Sequence, residues 1–472
     1  MSLASLSITE LRQKLIAGEI TPLEIIDDIE KAVLSGDSEI NAYLSYDFDK
    51  AREMAATSDL SLPLGGIPIG IKDNINTLGE PCSCASQFLV DSYIAPYDAT
   101  VISKLKAAGA IPLGRMNMDE FAMGSTTGNS SIKRTNNPHD LERVPGGSSG
   151  GSAAAIAANS AIATLGTDTG GSIRQPASHC GIVGLKPSYG RVSRYGLVAF
   201  ASSLDQIGPC TKTVADAALM LNIISGSDEM DSTSLEIDTP DFTANLSKGV
   251  KGLKLGIPKE YFTEGMDPAV REIVNSAIDK LKTAGAEIID ISLPHTEYAV
   301  ATYYIIAPAE ASSNLSRFDG IRYGNRAQQS GNLIDLYKDS RSAGFGSEVK
   351  RRIILGTYAL SSGYDHKYYN KAQKVRTLIR QDFTEAFEKV DAILTPVSPH
   401  SAPKHGENSD DPLKEYLEDI CTIAANLAGI PGISVPAGKD QRAMPVGLQI
   451  LGPHLGEDVI IQVAQELENI MQ

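Results

Sequence analysis

Residues 166–174 read Gly-Thr-Asp-Thr-Gly-Gly-Ser-Ile-Arg, which places Ser172 directly after two glycines. Glycine tolerates backbone angles that side chains forbid elsewhere, so the N–H groups of this loop can turn toward one point. Converging N–H groups form the wall of an oxyanion hole. The stretch therefore indicates a site for acyl transfer, with a serine hydroxyl beside it.

A second loop of the same kind lies upstream, where residues 145–152 read Pro-Gly-Gly-Ser-Ser-Gly-Gly-Ser and Ser148 precedes Ser172 by 24 residues. Further upstream, Lys72 follows the apolar run of residues 65–71. A neutral amine can accept the proton that a serine gives up, and burial lowers a lysine pKa by as much as about 3–5 units. For Lys72 an alternative stays open, because most lysines at strand ends reach out to water.

The composition is that of a soluble globular protein, since 42% of the 472 residues are apolar and 21% are charged. The net charge of −16 opposes binding to a phosphate backbone, so we expect another chain to hold any RNA. The first residues lack a basic region, and no stretch offers about 18 uninterrupted apolar residues. We therefore expect a cytoplasmic protein without a membrane span.

Five scattered cysteines predict reduced thiols rather than a disulfide framework. Cys82 and Cys84 are separated by one residue, whereas redox and metal pairs usually have Cys-x-x-Cys spacing. We expect no metal in this chain.

Short-range signals predict alternating helices and strands. Capping boxes at Ser7 and Thr21 begin two amphipathic helices, over roughly 8–17 and 22–34. We expect this helical hairpin, about residues 5–60, to pack on a single domain that spans residues 1–472.

Beyond the hairpin, Asp98 is predicted to cap a helix through Ala108, with a strand over residues 110–114. The alanine-rich segment 153–164 predicts a buried helix. Further strands are predicted at 67–71, 251–257, 392–394, 432–435 and 445–450, a helix near 268–284, and surface loops at 225–249 and 401–412. This alternation favours an α/β fold, with a mixed central sheet covered by helices on both faces.

Other catalytic motifs fit the glycine-rich loops less well. Gly-x-Ser-x-Gly occurs around Ser148 and Ser149, but a nucleophile elbow needs a preceding strand and residues 137–145 are a poor strand. Residues 168–170, Asp-Thr-Gly, resemble the aspartic-protease triplet. That mechanism uses two carboxylates that share a proton, and the sequence has no second triplet. A nucleotide P-loop is excluded by the absence of Gly-Lys-[Ser/Thr] in these loops, and none of the seven histidines lies in an informative context.

Together, the Gly-Gly-Ser-Ser-Gly-Gly-Ser loop, the Asp-Thr-Gly-Gly-Ser-Ile-Arg loop and the preceding Gly-Ile-Lys-Asp resemble the amidase signature family over about residues 5–452. The resemblance implies that Ser172 is the nucleophile, Ser148 the bridging proton carrier and Lys72 the base. It implies a cis peptide bond between Gly147 and Ser148. It also implies that the oxyanion is held by backbone N–H groups from the following residues: Thr169, Gly170, Gly171 and Ser172.

For the substrate, the resemblance implies that Arg352 binds a glutamine carboxylate, where a guanidinium fork fits two oxygens. It implies that Asp419 takes the ammonium group and that Tyr303 lines the pocket. From the residues alone a structural role is open for each of these three. Asp419 sits in a surface-type helical pattern, Tyr303 stands next to Tyr304, and Arg352 stands next to Arg351.

Within the family, the chain is most similar to the glutamine-hydrolysing subunits of tRNA-dependent amidotransferases. The resemblance rests on residues 118–124, 312–320 and 344–352, and one departure is Gly128, where related subunits often have glutamate. It implies a heterotrimer in which a B subunit uses ATP and Mg²⁺ to activate Glu-tRNA(Gln) or Asp-tRNA(Asn) and receives ammonia, and a small C subunit braces both. This chain itself would carry no cofactor.

Two other functions stay open. One is a stand-alone small-molecule amidase with the same Ser-Ser-Lys residues, active as a monomer on simple amides. The other is a non-enzymatic binding subunit, against which the presence of Lys72, Ser148 and Ser172 argues.

Overall fold

A mixed β-sheet runs through the centre of the computed structural model, which describes residues 2–262, 264–328, 331–407 and 416–471. Within these ranges the sheet has eleven strands in the order β1-β3-β2-β4-β6-β5-β10-β11-β9-β7-β8. The strands are β1 (Tyr43–Ser45), β2 (Pro68–Lys72), β3 (Ile111–Met116), β4 (Ala163–Asp168), β5 (Val183–Lys186), β6 (Gln206–Thr211), β7 (Lys254–Pro258), β8 (Glu287–Ile291), β9 (Ala392–Pro396), β10 (Gly432–Lys439) and β11 (Pro445–Leu451).

Two parallel groups flank an antiparallel centre. Strands β3, β2 and β4 are parallel to one another, and so are β9, β7 and β8. Strands β6, β5, β10 and β11 lie between these two groups, and neighbouring strands there pair antiparallel. Strands β2, β3, β4, β6 and β11 are buried at every position, so both faces of the sheet are covered. The prediction of a mixed sheet between helices is confirmed.

Helices separate many of the strands along the chain, and several of them pack on the sheet. Their bounds are α1 (Ile8–Ile16), α2 (Pro22–Ile40), α3 (Phe48–Ala56), α4 (Thr100–Ala107), α5 (Gly150–Ala157), α6 (Arg174–Cys180), α7 (Val214–Ile224), α8 (Pro268–Thr283), α9 (Ala299–Asn314), α10 (Leu333–Gly344), α11 (Ser347–Leu360), α12 (Tyr369–Phe387), α13 (Ile423–Ala428) and α14 (Glu457–Met471). None of the helices in the described ranges is long and apolar enough to cross a bilayer.

The N-terminal helices begin where the capping boxes predict. Ser7 and Thr21 each accept from the backbone of a glutamate three residues on, whose side chain bonds back to the capping residue. Helix α2 extends six residues beyond the prediction, to Ile40. The start of α1 is tied to α7 because Asp216 accepts the N–H of Ile8 at 2.7 Å.

Two local predictions are wrong. Asp98 does not cap α4, because its carboxylate bonds to the Leu78 N–H at 2.8 Å and pairs with Lys106 instead. The helix predicted over 153–164 ends at Ala157, since Asn159 takes a left-handed φ of 53° that stops the helix. The remaining residues of that segment lead into β4, and β4 ends beside the candidate site.

The five cysteines are free and buried. In the described part of the chain, no three His, Cys, Asp or Glu side chains are grouped to hold a metal ion. The predicted 401–412 loop falls partly outside the described residues, which resume at Tyr416.

Candidate active site

Lys72 lies at the carboxyl end of β2, next to the parallel strand β4, and has no solvent exposure. Its Nζ atom is 2.8 Å from each of three hydroxyl oxygens, Ser148 Oγ, Ser149 Oγ and Thr167 Oγ1. The alternative of a lysine that reaches water is therefore excluded. The fold brings together β2, the start of α5 and the end of β4 around one amine.

Burial lowers the pKa of Lys72 to about 7, although nearby Asp119 favours the charged form. Taking an ammonium group out of water disfavours its charge, and within the described ranges no carboxylate contacts the amine directly to offset that cost. A substantial fraction of Lys72 is therefore neutral near neutral pH. A neutral amine in contact with a hydroxyl can act as a proton acceptor.

Ser148 and Ser149 immediately precede α5, and the peptide bond between Gly147 and Ser148 is cis. The Gly147 N–H donates to Gln175 Oε1 at 2.9 Å, which ties this loop to α6. The resemblance implied the cis bond, and the structure contains it.

The sequence did not single out Ser149 as part of the site. Its hydroxyl donates to the Thr167 carbonyl at 3.1 Å, and its oxygen accepts from the Thr167 N–H at 3.2 Å. Ser149 therefore anchors Lys72 to strand β4. The doubled serine in the 145–152 loop was the only signal for it, and that signal does not say which hydroxyl faces the lysine.

The loop that carries Ser172 is held by Asp168 at the end of β4. Asp168 accepts from the N–H of Gly171 at 2.8 Å and from the N–H of Ile173 at 3.2 Å. It also pairs with the buried guanidinium of Arg174 through Nε at 3.0 Å and Nη2 at 3.1 Å. Burial opposes the charge of Asp168, yet Arg174 holds the pKa of that carboxyl well below its usual range. One ionised side chain thus fixes the turn between β4 and α6.

Ser172 itself is 8% exposed, at the wall of this buried cluster. Its backbone carbonyl accepts from the Ser149 N–H at 3.2 Å, which joins the two serine loops. The three residues Lys72, Ser148 and Ser172 therefore belong to one connected arrangement.

The glycines of the Ser172 loop are required by close packing. A Cβ atom on Gly171 would lie 2.2 Å from Thr422 Oγ1, and the residue has a φ of 136°. A Cβ atom on Gly170 would lie 2.8 Å from the hydroxyl of Tyr303. The Gly171 N–H does not fit its expected role as an oxyanion donor, since it is already donated to Asp168. This leaves Thr169, Gly170 and Ser172 as candidate donors.

The three candidate substrate residues lie near this loop. Tyr303 is buried on α9 with its ring against Gly170. Asp419 is 8% exposed and accepts from Ser125 Oγ at 2.6 Å, so a surface position is excluded. Thr422, which sequence reasoning did not identify, connects Asp419 to the loop: its N–H donates to the Asp419 carbonyl at 3.0 Å and its hydroxyl donates to the Gly170 carbonyl at 2.6 Å.

Arg352 on α11 is also buried, 3% exposed, and its guanidinium lies over the ring of Tyr304 at 5.2 Å from the centroid. Tyr304 in turn makes an edge contact with Tyr303, with ring centroids 5.1 Å apart. A hydroxyl, a carboxylate and a guanidinium are therefore carried around the Ser172 loop by three separate elements. Such a set can bind a small molecule that has both charges.

The class of protein follows from this mixed sheet, which buries a lysine among serines beside a glycine-rich turn. The chain belongs to the amidase family, whose model matches residues 24–461.

More particularly, the chain is 58% identical to the A subunit of the glutamyl-tRNA(Gln) amidotransferase of Methylacidiphilum infernorum, over 98% of this chain and 93% of that protein. It is also 58% identical to the protein of the same name from Thermodesulfovibrio yellowstonii, over 99% and 98% of the two chains. The crystal structure of the A subunit of the glutamyl-tRNA(Gln) amidotransferase from Thermotoga maritima matches with a TM-score of 0.81 at 44% identity, over 99% of this chain and 95% of that one. The family resemblance of the sequence is confirmed.

Proposed function

We propose that this chain is the glutamine-hydrolysing subunit of a tRNA-dependent amidotransferase and acts as one domain with its N-terminal hairpin packed on it. The observation that carries the proposal is the buried contact of Lys72 Nζ with Ser148 Oγ, in a chain 53–58% identical to relatives named as amidotransferase A subunits. The contact supports the proposed chemistry, and the names of the relatives support the proposed class of substrate.

In the proposed reaction Ser172 Oγ attacks the side-chain amide carbon of glutamine. Its proton passes to Ser148, and the proton of Ser148 passes to the neutral amine of Lys72. The tetrahedral oxyanion is held by the N–H groups of Thr169, Gly170 and Ser172. Ammonia leaves as the relay returns a proton to the amide nitrogen, and water then cleaves the glutamyl ester to release glutamate and restore Ser172.

The substrate is held at its α-carbon end. Arg352 binds the α-carboxylate through its guanidinium fork, and Asp419 binds the ammonium group. Tyr303 closes the pocket against Gly170, which places the side-chain amide next to Ser172. The two opposite charges at fixed positions favour an amino acid over a simple amide, because only an amino acid offers a group of opposite charge to both.

The ammonia is used by a partner. In the proposed heterotrimer a B subunit carries ATP and Mg²⁺ and activates Glu-tRNA(Gln) or Asp-tRNA(Asn), and a C subunit braces the assembly. The net charge of −16 agrees with leaving the tRNA to the partner.

A surface suited to such a partner lies on the outer face of α11. Ile354 is 68% exposed, and Leu355 and Tyr358 are exposed on the same helix. Tyr358 packs on Tyr364 with ring centroids 4.8 Å apart, which extends this apolar surface. Exposed apolar clusters of this kind mark protein interfaces.

The test is glutamine hydrolysis by the purified chain, before and after the B and C subunits are added. We expect turnover to rise on addition, because docking orders the pocket. Equal turnover with and without the partners, together with hydrolysis of simple amides, would favour the stand-alone amidase. No glutamine hydrolysis under either condition would contradict the proposal.

A further inference from the structure

Glu348 is a buried carboxylate on α11, one helical turn before Arg352, with 6% exposure. Its Oε1 atom accepts from Arg352 Nε at 2.7 Å and from the hydroxyl of Tyr416 at 3.0 Å. Its Oε2 atom contacts Nη1 of Arg351, whose side chain is 44% exposed. Glu348 therefore accepts from three donors, and Arg352 is the most deeply buried of them.

Aromatic rings surround the Arg352 guanidinium. Its Cζ atom lies 5.2–5.6 Å from the ring centroids of Phe200, Tyr304 and Tyr416. The last two rings stack on each other, with centroids 3.9 Å apart. These rings shield the guanidinium from much of the solvent, so its charge needs a fixed counter-charge when no substrate is bound. Glu348 supplies that counter-charge.

The pairing also selects which edge of the guanidinium is available. A carboxylate can bind a guanidinium through the Nε edge or through the two terminal nitrogens. Glu348 occupies Nε. Among the described residues no hydrogen bond from either terminal nitrogen of Arg352 is formed within the chain, so that fork is left for a ligand carboxylate.

The net charge of Arg351, Arg352 and Glu348 matches a ligand with one anionic substituent. Two guanidinium groups, from Arg351 and Arg352, share the single carboxylate of Glu348, which leaves one net positive charge. A ligand with one carboxylate completes the balance, whereas an uncharged amide offers the Arg352 fork no carboxylate.

We propose that Glu348 is the positioning residue of the substrate-carboxylate site, and that it sets the preference of this enzyme for an amide that carries a carboxylate. The inference rests on the proposed function, which assigns the carboxylate to Arg352. Glu348 acts through Arg352 and does not touch the reacting amide. Its loss therefore weakens glutamine binding and leaves the chemical step at Ser172 unaffected.

The experiment uses the full chain with its partner subunits and measures kcat and KM for glutamine. Glu348→Gln keeps the size of the side chain and an oxygen that can accept from Arg352 Nε, but it removes the charge. We expect KM to rise about tenfold or more, with kcat within about threefold of wild type. The inhibition constant of the product glutamate, which carries the same α-carboxylate, should rise in parallel.

Lys350→Gln is the matched control, because it removes a positive charge from the same helix, and Lys350 donates to the Ser342 carbonyl at 3.0 Å rather than to Glu348. Its KM should stay within about twofold of wild type. Glu348→Ala, checked for folding by its melting temperature, should raise KM at least as far as Glu348→Gln.

An unchanged KM in the folded Glu348→Gln variant, or a fall in kcat at constant KM, would overturn the inference. A wild-type assembly that does not hydrolyse glutamine would overturn the proposed function itself, and this result is read before any variant is made.

Discussion

Lys72 Nζ and Ser148 Oγ are 2.8 Å apart, and neither side chain is exposed to solvent. The other contacts of the amine indicate the direction of the proton. The hydroxyl of Ser149 already donates to the Thr167 carbonyl, and Thr167 Oγ1 already accepts from Asn74 Nδ2 at 3.1 Å. Ser149 Oγ can therefore contact the amine only as an acceptor, and Thr167 Oγ1 keeps a second lone pair that can accept another N–H of a neutral amine. The lone pair of Lys72 is then left for the proton of Ser148.

We expect Lys72 to set the acidic limb of the pH profile. Its pKa is lowered to about 7, and activity requires the neutral amine, so kcat/KM should rise as pH increases through about 7 and fall below it. Lys72→Arg should lose nearly all activity because a guanidinium stays charged. Activity of Lys72→Arg within about tenfold of wild type, a difference of roughly 1.4 kcal/mol, would contradict the role.

A control for this experiment is available because burial lowers the pKa of Lys186 to about 7 as well. The Lys186 ammonium donates to the Pro187 carbonyl at 2.8 Å and makes no contact with the serine hydroxyls. Lys186→Met should therefore keep the acidic limb. If the acidic limb disappears in Lys186→Met and persists in a residually active Lys72 variant, the titrating group is Lys186 and the assignment to Lys72 is wrong.

Ser172→Ala should abolish glutamine hydrolysis without loss of the fold, since the change removes one oxygen at the wall of the cluster. In wild type, acid quenching during turnover should trap a glutamyl ester, and peptide mass spectrometry should locate it at Ser172. The ester should be absent from the variant. An adduct on Ser149 or Cys180 instead would reassign the nucleophile.

Much of the fold could be predicted because its signals are local. The capping boxes at Ser7 and Thr21, and the glycines that end α4 and α8, act between residues a few positions apart. The sheet order could not be predicted in this way. It depends on pairs such as β5 with β10, whose residues are far apart in the sequence.

The same distinction holds for the site. Lys72, Ser148 and Ser172 stand in motifs that a family resemblance can identify, and the cluster of Lys72 with Ser148 agrees with it. Thr422 has no motif, because its role comes from a contact with a loop 252 residues away. Glu348 did have a local signal, the i, i+4 spacing to Arg352 on a helix, but this spacing is common on solvated helix faces. Burial distinguishes the Glu348–Arg352 pair from such surface pairs, and burial is a tertiary property.

Asp168→Asn should destabilise the protein strongly. The substitution leaves the buried guanidinium of Arg174 without its counter-charge, and breaking such a pair costs about 3–5 kcal/mol. The pKa of Asp168 is held well below the unfolded value, so its stabilising contribution is present above the unfolded pKa and is lost only as pH falls through the folded one. The deficit should therefore be constant from about pH 5 upward.

The measurement is the melting temperature of wild type and variant across that pH range. Asp140→Asn is the control, because Asp140 pairs with Arg143 at 2.9 Å but is 36% exposed on its side chain. It should show a much smaller loss. Equal losses in the two variants would mean that the Asp168 pair contributes no more than a surface ion pair.

Ile354→Glu should weaken assembly with the partner subunits. Ile354 follows Arg352 by two positions, and a helix turns by about 100° per residue, so its side chain points away from the pocket and into solvent. A carboxylate there does not disturb the pocket of the free chain, but it must be desolvated when an apolar partner surface covers α11. We expect the affinity for the B and C subunits, measured by calorimetry, to fall about tenfold or more. Ile16→Glu on α1 introduces the same charge at a site that is 70% exposed, and it should bind the partners as wild type does. If the two variants bind equally well, the outer face of α11 is not the docking surface; if both bind weakly, added charge alone is the cause.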